Sequence, residues 1–218
     1  LVLLGDLIDR GKDSFKVIQL AKELHEKYGA VILKGNHEEL FLNWLEFPYS
    51  GMRLFYHQGG RETIHSFFDK QVTFSHTPEK IADMLIEQFP EELAFIRNLP
   101  YYYEWNDYVF VHGGVDLSLS NWKHTKESDF CWIRNEFHYG TNETGKTFVF
   151  GHTPTRFLNP DKSDNVWVSP DKTKVGLDGG AVFGGLLHGL IIKENNKHII
   201  SIDKELNVIE TPFQAIHL

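Results

Sequence analysis

Four short turns in this chain carry residue types able to hold a cation or a phosphate. They are Gly5-Asp6, Gly35-Asn36-His37, His112-Gly113-Gly114 and Gly151-His152. Each follows a run of apolar residues, and each contains glycine, which lets a chain turn sharply and lets a ligand approach its backbone. In open α/β sheets, ligands bind beyond the carboxyl ends of the strands. Asp6, Asn36, His112 and His152 are therefore expected to converge, offering two oxygen and two nitrogen ligands. A mixed oxygen and imidazole set without thiolate suits manganese, iron or zinc better than a structural zinc site or a calcium cage. Taken singly, each turn has a plainer reading. Gly35 to Glu38 is then an ordinary turn, His112 to Gly114 a loop needing positive φ, Gly151 to Pro154 a proline-stiffened turn, and Asp9-Arg10 a local salt bridge. Their conjunction, each after a β-like run, is what points to metal chemistry. Of the twelve histidines, His37, His112 and His152 sit in such turns, and the others are read as structural or surface residues.

The elements that must position these turns are legible from periodicity. Leu1 to Leu4 reads as an interior strand. A helix capped at Asp13 is expected to bury Val17, Leu20, Ala21, Leu24 and Tyr28 and to stop at Gly29. Strand Val31 to Leu33 follows, then a helix to about Phe47, before Pro48. This is a strand–helix–strand unit of the parallel kind, with right-handed crossover. Residues 51–100 read as a helical insertion capping the site. Thr77-Pro78 marks a helix start there, and Ile81, Leu85 and Phe89 line one face. Asn106-Asp107 is a two-residue hairpin turn between Tyr101–Trp105 and Tyr108–Val111. Thr147 to Phe150 is another strand, and a short one is expected near Val166 to Val168. The tail reads as an antiparallel meander of Lys174–Leu177, Leu186–Ile192, His198–Ile202 and Asn207–Glu210, with a turn at Asn195-Asn196. The whole predicts one mixed α/β domain over residues 1–218.

Bulk properties narrow the function. The formal net charge is -8 with a pI of about 5.8, so there is no basic footprint for a nucleic-acid partner. Positive potential for an anionic substrate must then come from metals and a few arginines. No apolar run is long enough to span a membrane. The single Cys131 excludes an intrachain disulfide and fits a reducing, cytoplasmic setting. It has no arginine-rich phosphate loop beside it, so cysteine-phosphatase chemistry is not indicated. The sequence opens directly on an apolar strand without an initiator Met, which leads us to expect further residues ahead of Leu1.

The motifs GDLIDRG (Gly5 to Gly11), GNHE (Gly35 to Glu38), HGG (His112 to Gly114) and GHTP (Gly151 to Pro154) resemble the phosphoprotein-phosphatase branch of the calcineurin-like metallophosphoesterases. That branch holds serine/threonine phosphatases and bacterial dinucleoside-polyphosphatases. The resemblance implies a four-layer α/β/β/α sandwich with a two-metal centre. By position it implies that Asp6 bridges the metals and that Asn36, His112 and His152 complete the second one. It further implies His37 as the general acid, Asp9 as the residue orienting its imidazole, and Arg10 as a phosphate ligand. Trp132-Ile133-Arg134 resembles the segment supplying a second phosphate-binding arginine, Arg134, whose plainer reading is a surface arginine lying along a packed Trp. The family's opening GDxHG motif has no counterpart ahead of Gly5. The expectation is thus two divalent metals, manganese foremost, in a complete protein, and one or none with residues 1–218 alone.

The implied reaction is hydrolysis of a phosphate ester by a metal-bound hydroxide, with the arginines neutralising phosphoryl oxygens bidentately. Protonation of the leaving oxygen by His37 contributes typically 10²- to 10⁴-fold. The expected substrate is a phosphomonoester, phosphoserine or phosphothreonine in a protein foremost. The alternatives are bis(5'-nucleosyl) tetraphosphate and a metal-deficient module that only binds phosphorylated ligands. Nothing in the sequence speaks to oligomeric state.

Overall fold

The computed structural model describes residues 1–193 and 196–213, as two compact units, Leu1–Tyr101 and Tyr102–Leu218. In the first unit, β1 (Val2–Leu3) pairs in parallel with β2 (Val31–Ile32), in the register Val2 to Val31 and Leu3 to Ile32. Helix α1 (Ser14–Tyr28) forms the crossover and ends at Gly29, whose φ of 67° places it in the left-handed region favoured after a helix. The expected strand–helix–strand unit is present.

The buried face of α1 matches the expected one only in part, at Ala21 and at Leu24, which packs against the same cluster. Ser14, Ile18 and Ala21 are buried, whereas Val17, Leu20 and Tyr28 are exposed. The helix carries apolar residues on two faces, so periodicity alone does not choose between them. Distant aromatics decide: the Phe15 ring lies 4.7 Å from Phe67 and 5.1 Å from Phe89, and it turns the adjacent face inward.

Helix α2 (Asn36–Glu46) follows β2 directly. Five further helices then run in succession: α3 (Pro48–His57), α4 (Gly60–Phe67), α5 (Val72–Ser75), α6 (Pro78–Gln88) and α7 (Pro90–Arg97). Proline occupies the first turn of α3, α6 and α7, where its missing N–H leaves no helical bond unmade. Thr77 caps α6 by accepting from the Lys80 N–H. These helices share one core with α1 and α2, built around Ile18, Phe41, Trp44, Phe55, Ile64 and Leu85. Trp44 and Phe55 stack there at 5.0 Å.

In the second unit, β3 (Tyr102–Trp105) and β4 (Tyr108–Val111) form the expected hairpin, with Asn106 at φ 53° in the turn. Two short helices follow, α8 (Glu127–Trp132) and α9 (Asn135–His138). Strand β5 (Thr147–Phe150) is buried along its length and pairs in parallel with β4. With β6 (Trp167–Val168) and β7 (Lys174–Gly176) it completes a five-stranded sheet of order β3-β4-β5-β7-β6.

The tail meander is shorter than expected at its start. Strand β7 is not its first member, because Val175 pairs with Val149 of β5 in parallel. Being buried throughout, β7 belongs inside the larger sheet, and its Lys174 Nζ finds the Gly140 carbonyl at 2.6 Å. Strands β8 (Leu187–Lys193), β9 (Asn196–Ile202) and β10 (Val208–Pro212) make the antiparallel meander alone. Asn196 opens β9, while Asn195, the other half of the expected turn, lies outside the described residues. The fold is mixed α/β. Among the described residues, no helix is long and apolar enough to cross a membrane.

Candidate catalytic site

The turn after β1 is held in a costly conformation. Asp6, Asp9 and Arg10 have φ values of 56°, 71° and 60°, a left-handed region that costs a non-glycine residue on the order of 1–3 kcal/mol. What holds it is the carboxylate of Glu38, in the first turn of α2 and fully buried. One oxygen accepts from the Asp6 N–H (2.9 Å) and the Gly35 N–H (2.8 Å), and the other accepts from the Leu7 N–H (2.8 Å). Glu38 thereby ties the turn after β1 to the turn after β2. Gly35 cannot carry a side chain, since a Cβ there would overlap the Asp6 carboxylate and backbone. Asn36, the first residue of α2, is buried, and the His37 N–H donates to Asp6 Oδ1 at 3.2 Å.

His37 and Asp9 form a buried pair, Nδ1 to Oδ2, at 2.5 Å. Burial alone would lower the His37 pKa, but the Asp9 hydrogen bond and the charges of Asp6 and Asp9 outweigh it, and the net direction is upward. Burial also pushes the Asp9 carboxyl up, against the hydrogen bonds from His37 and Thr63. The dyad therefore holds its shared proton firmly. Thr63, on α4, touches Asp9 twice: its hydroxyl donates to Oδ1 at 2.6 Å and accepts the Asp9 N–H at 2.9 Å. Arg10 is engaged elsewhere, donating from Nη2 to Gln58 Oε1 at 2.8 Å and from its backbone N–H to the Gly59 carbonyl at 3.2 Å.

In the second unit, His112 follows β4 and His152 follows β5. Because Val111 registers with Phe150, the two turns emerge side by side, joined by the Gly151 N–H to the His112 carbonyl at 2.9 Å. The two rings lie 5.0 Å apart, both buried. The pKa of His152 is lowered to about 2, chiefly by burial and then by His112 and Arg134, so its imidazole is neutral. Arg134 sits just ahead of α9 and donates to Thr153 Oγ1 at 2.6 Å and to the His152 carbonyl at 3.4 Å. It is exposed, as a surface arginine would be, yet these two bonds tie it to the histidine turn. Trp132 packs edge-on to His152 at 6.1 Å.

The first unit therefore gathers Asp6, Asp9, Arg10, Asn36 and His37, and the second gathers His112, His152 and Arg134. Sequence reasoning missed Glu38, Thr63, Gln58 and Thr153. Glu38 and Thr153 had a local signal, standing beside His37 and His152 within their motifs. Thr63 and Gln58 had none, since only tertiary folding brings them to residues about fifty positions earlier.

The profile of the calcineurin-like phosphoesterase family matches residues 1–185. The chain belongs to that family. Two curated relatives are bis(5'-nucleosyl)-tetraphosphatase PrpE [asymmetrical] of Bacillus cereus strains AH187 and Q1. They are 26% and 25% identical to this chain, over 99% of it and 84% of their own length. Among solved structures, the chain is similar to a crystal structure provisionally described as a diadenosine tetraphosphatase. The TM-score is 0.55 at 19% identity, covering 97% of this chain and 79% of the other. It is also similar to a mutant of a cold-active protein tyrosine phosphatase, with a TM-score of 0.53 at 16% identity, over 98% and 69%. At these identities the structural likenesses speak to fold alone.

Calcineurin-like phosphoesterases are hydrolases that use divalent metals. The donors of this member suit such an ion. His112 and His152 are adjacent, buried imidazoles, and His152 is held in the neutral form that a ligand must take. In the first unit, Asp6 and Asn36 carry oxygen donors on turns that Glu38 braces, and the chain's single thiol, Cys131, is on α8 and buried.

Proposed function

We propose that this protein hydrolyses dinucleoside polyphosphates at a phosphoanhydride bond. The observation that carries this reading is the match of the two PrpE tetraphosphatases along 99% of the chain, which includes all four chemistry-bearing turns. In this reading Asp6 and Asn36 join His112 and His152 as ligands of a divalent metal centre. A divalent cation there supplies Lewis acidity at the phosphoryl group and an activated water. Arg10 and Arg134 hold phosphoryl oxygens, a task for which the planar guanidinium fork is suited. Water forms the new P–O bond, the anhydride P–O bond breaks, and His37 Nε2 delivers its proton to the departing oxygen. Asp9 keeps the imidazole in the tautomer and orientation that this transfer needs. The helices of residues 51–100 serve as a cap that also braces Asp9 and Arg10.

A second reading, phosphomonoester hydrolysis including phosphoserine and phosphothreonine in proteins, is favoured by the His37–Asp9 pair. A braced, buried acid of raised pKa matters most when the leaving group is a basic alkoxide, and a nucleotide leaving group departs with little help. The test is turnover by the full-length protein with added Mn²⁺ on diadenosine tetraphosphate, phosphoserine peptide and p-nitrophenyl phosphate. The proposal requires kcat/KM for diadenosine tetraphosphate to exceed that for the peptide by at least about tenfold, a difference of about 1.4 kcal/mol in transition-state binding. The reverse order would establish the second reading, and no turnover of any of the three would leave only phospho-ligand binding.

A further inference from the structure

Thr63 stands 54 residues from Asp9 in sequence, yet its hydroxyl is fully buried against that carboxylate. A threonine hydroxyl has one proton to give and two lone pairs to accept with. Here the proton goes to Asp9 Oδ1 at 2.6 Å, and a lone pair takes the Asp9 N–H at 2.9 Å. Ser14 Oγ is a more distant neighbour at 3.4 Å. Oδ1 is thus engaged by Thr63 while Oδ2 is engaged by His37 Nδ1 at 2.5 Å. A carboxylate gripped at both oxygens and at its own backbone has no freedom to rotate, and threonine, β-branched, brings little χ1 freedom of its own. Asp9 needs this grip more than most aspartates do, because its backbone stands at φ 71°.

We propose that Thr63 is a positioning residue for the proton donor, the far end of a Thr63–Asp9–His37 chain that aims His37 Nε2 at the leaving oxygen. This rests on the reading of His37 as general acid. It also changes what the helical segment after α2 does. Through α4 that segment sets the angle of the imidazole, so a shift of α4 is felt at the chemistry without any contact to substrate.

The decisive experiment compares p-nitrophenyl phosphate with phenyl phosphate, two esters of similar size whose leaving groups differ in basicity. Thr63→Val keeps the shape and removes the hydroxyl. It is expected to lower kcat for phenyl phosphate about tenfold, within the range general acids contribute. Turnover of p-nitrophenyl phosphate should change less than about threefold, with KM and metal content unaltered, since no binding group is touched. Thr63→Ser should restore kcat, and Thr63→Cys, a weak donor of similar size, should fall between. In an Asp9→Asn background Thr63→Val should have little further effect, because the two act through one chain. Equal losses on both esters, or the same loss in both backgrounds, would overturn the proposal. Should Thr63→Val fail to fold, the Ser and Cys variants carry the same comparison. His37→Asn is measured in parallel. A leaving-group-dependent loss there, with none in the Thr63 series, removes Thr63 alone. No such dependence in His37→Asn removes the acid assignment, and the proposal with it.

Discussion

The Glu38 carboxylate accepts the backbone N–H of Asp6 at 2.9 Å, and with the same oxygen it accepts the N–H of Gly35 at 2.8 Å. A buried side chain of α2 therefore sets the distance between two turns that come from different strands. The left-handed φ of Asp6 survives because this carboxylate over-determines it.

Glu38→Gln should loosen that arrangement. An amide has one acceptor oxygen where the carboxylate has two, and its NH₂ group would face a backbone N–H. Leaving one buried donor unsatisfied costs about 1–3 kcal/mol, so the midpoint of urea unfolding should fall accordingly. Asp6 is a proposed metal ligand, so Mn²⁺ affinity measured by calorimetry should fall as well. An unchanged unfolding midpoint would show that the three hydrogen bonds do not matter to the turn.

Asp6 and His37 should separate in their effects. Asp6→Asn removes a proposed metal ligand and should reduce metal content and turnover of every substrate. His37→Asn should leave metal content near the wild-type value and lower kcat most for basic leaving groups, within the 10²- to 10⁴-fold range of general acids. Metal analysis after dialysis is the check. Loss of metal in His37→Asn as complete as in Asp6→Asn would refute the division of labour.

Gln58→Ala addresses substrate binding. Its Oε1 accepts from Arg10 Nη2 at 2.8 Å and holds the guanidinium in place. Without it Arg10 loses that bond, and KM should rise several-fold while kcat changes less, since phosphate is held in ground and transition states alike. Arg10→Ala should produce the same pattern more strongly. A fall in kcat alone would mean that Gln58 acts on the chemistry and not on binding.

His138 predicts a pH dependence of stability. It is buried, stacked on Phe150 at 5.2 Å, and neither ring nitrogen has a hydrogen-bond partner among the described residues. Burial, with Arg134 and Lys174 nearby, lowers its pKa to about 4 from 6.5. Between those values the unfolded chain takes up a proton that the native state refuses. The resulting stability is fully present above pH 6.5, declines as pH falls below it, and is lost by about pH 4. At 1.36 kcal/mol per unit, the loss between pH 7 and pH 5 is about 2 kcal/mol. His138→Phe should flatten that part of the urea-unfolding profile, and an unflattened profile would assign it to other groups.

Local structure was legible wherever its causes are local. The hairpin at Asn106-Asp107, the cap at Thr77 and the stop at Gly29 each follow from the conformational preference of one or two residues. The buried face of α1 and the partner of β7 were not legible. Two faces of α1 carry apolar residues, and Phe67 and Phe89, distant in sequence, settle which turns inward. Strand β7 looks like the start of an antiparallel tail until it is seen buried beside β5.

For the candidate site, the sequence by itself determined which turns carry ligand-type side chains. Each of the four turns must be short and glycine-bearing to deliver a ligand-type side chain at a strand end, so residue types and spacing expose them in one dimension. Only the tertiary structure decided how those residues are held. Thr63, Gln58 and Glu38 fix the rotamers and strained backbone of Asp9, Arg10 and Asp6 through hydrogen bonds spanning 54, 48 and 32 residues. The reason is physical: an apolar run or a glycine turn follows from the preferences of consecutive residues, whereas a buried hydrogen bond is specified only by where two separate elements come to rest.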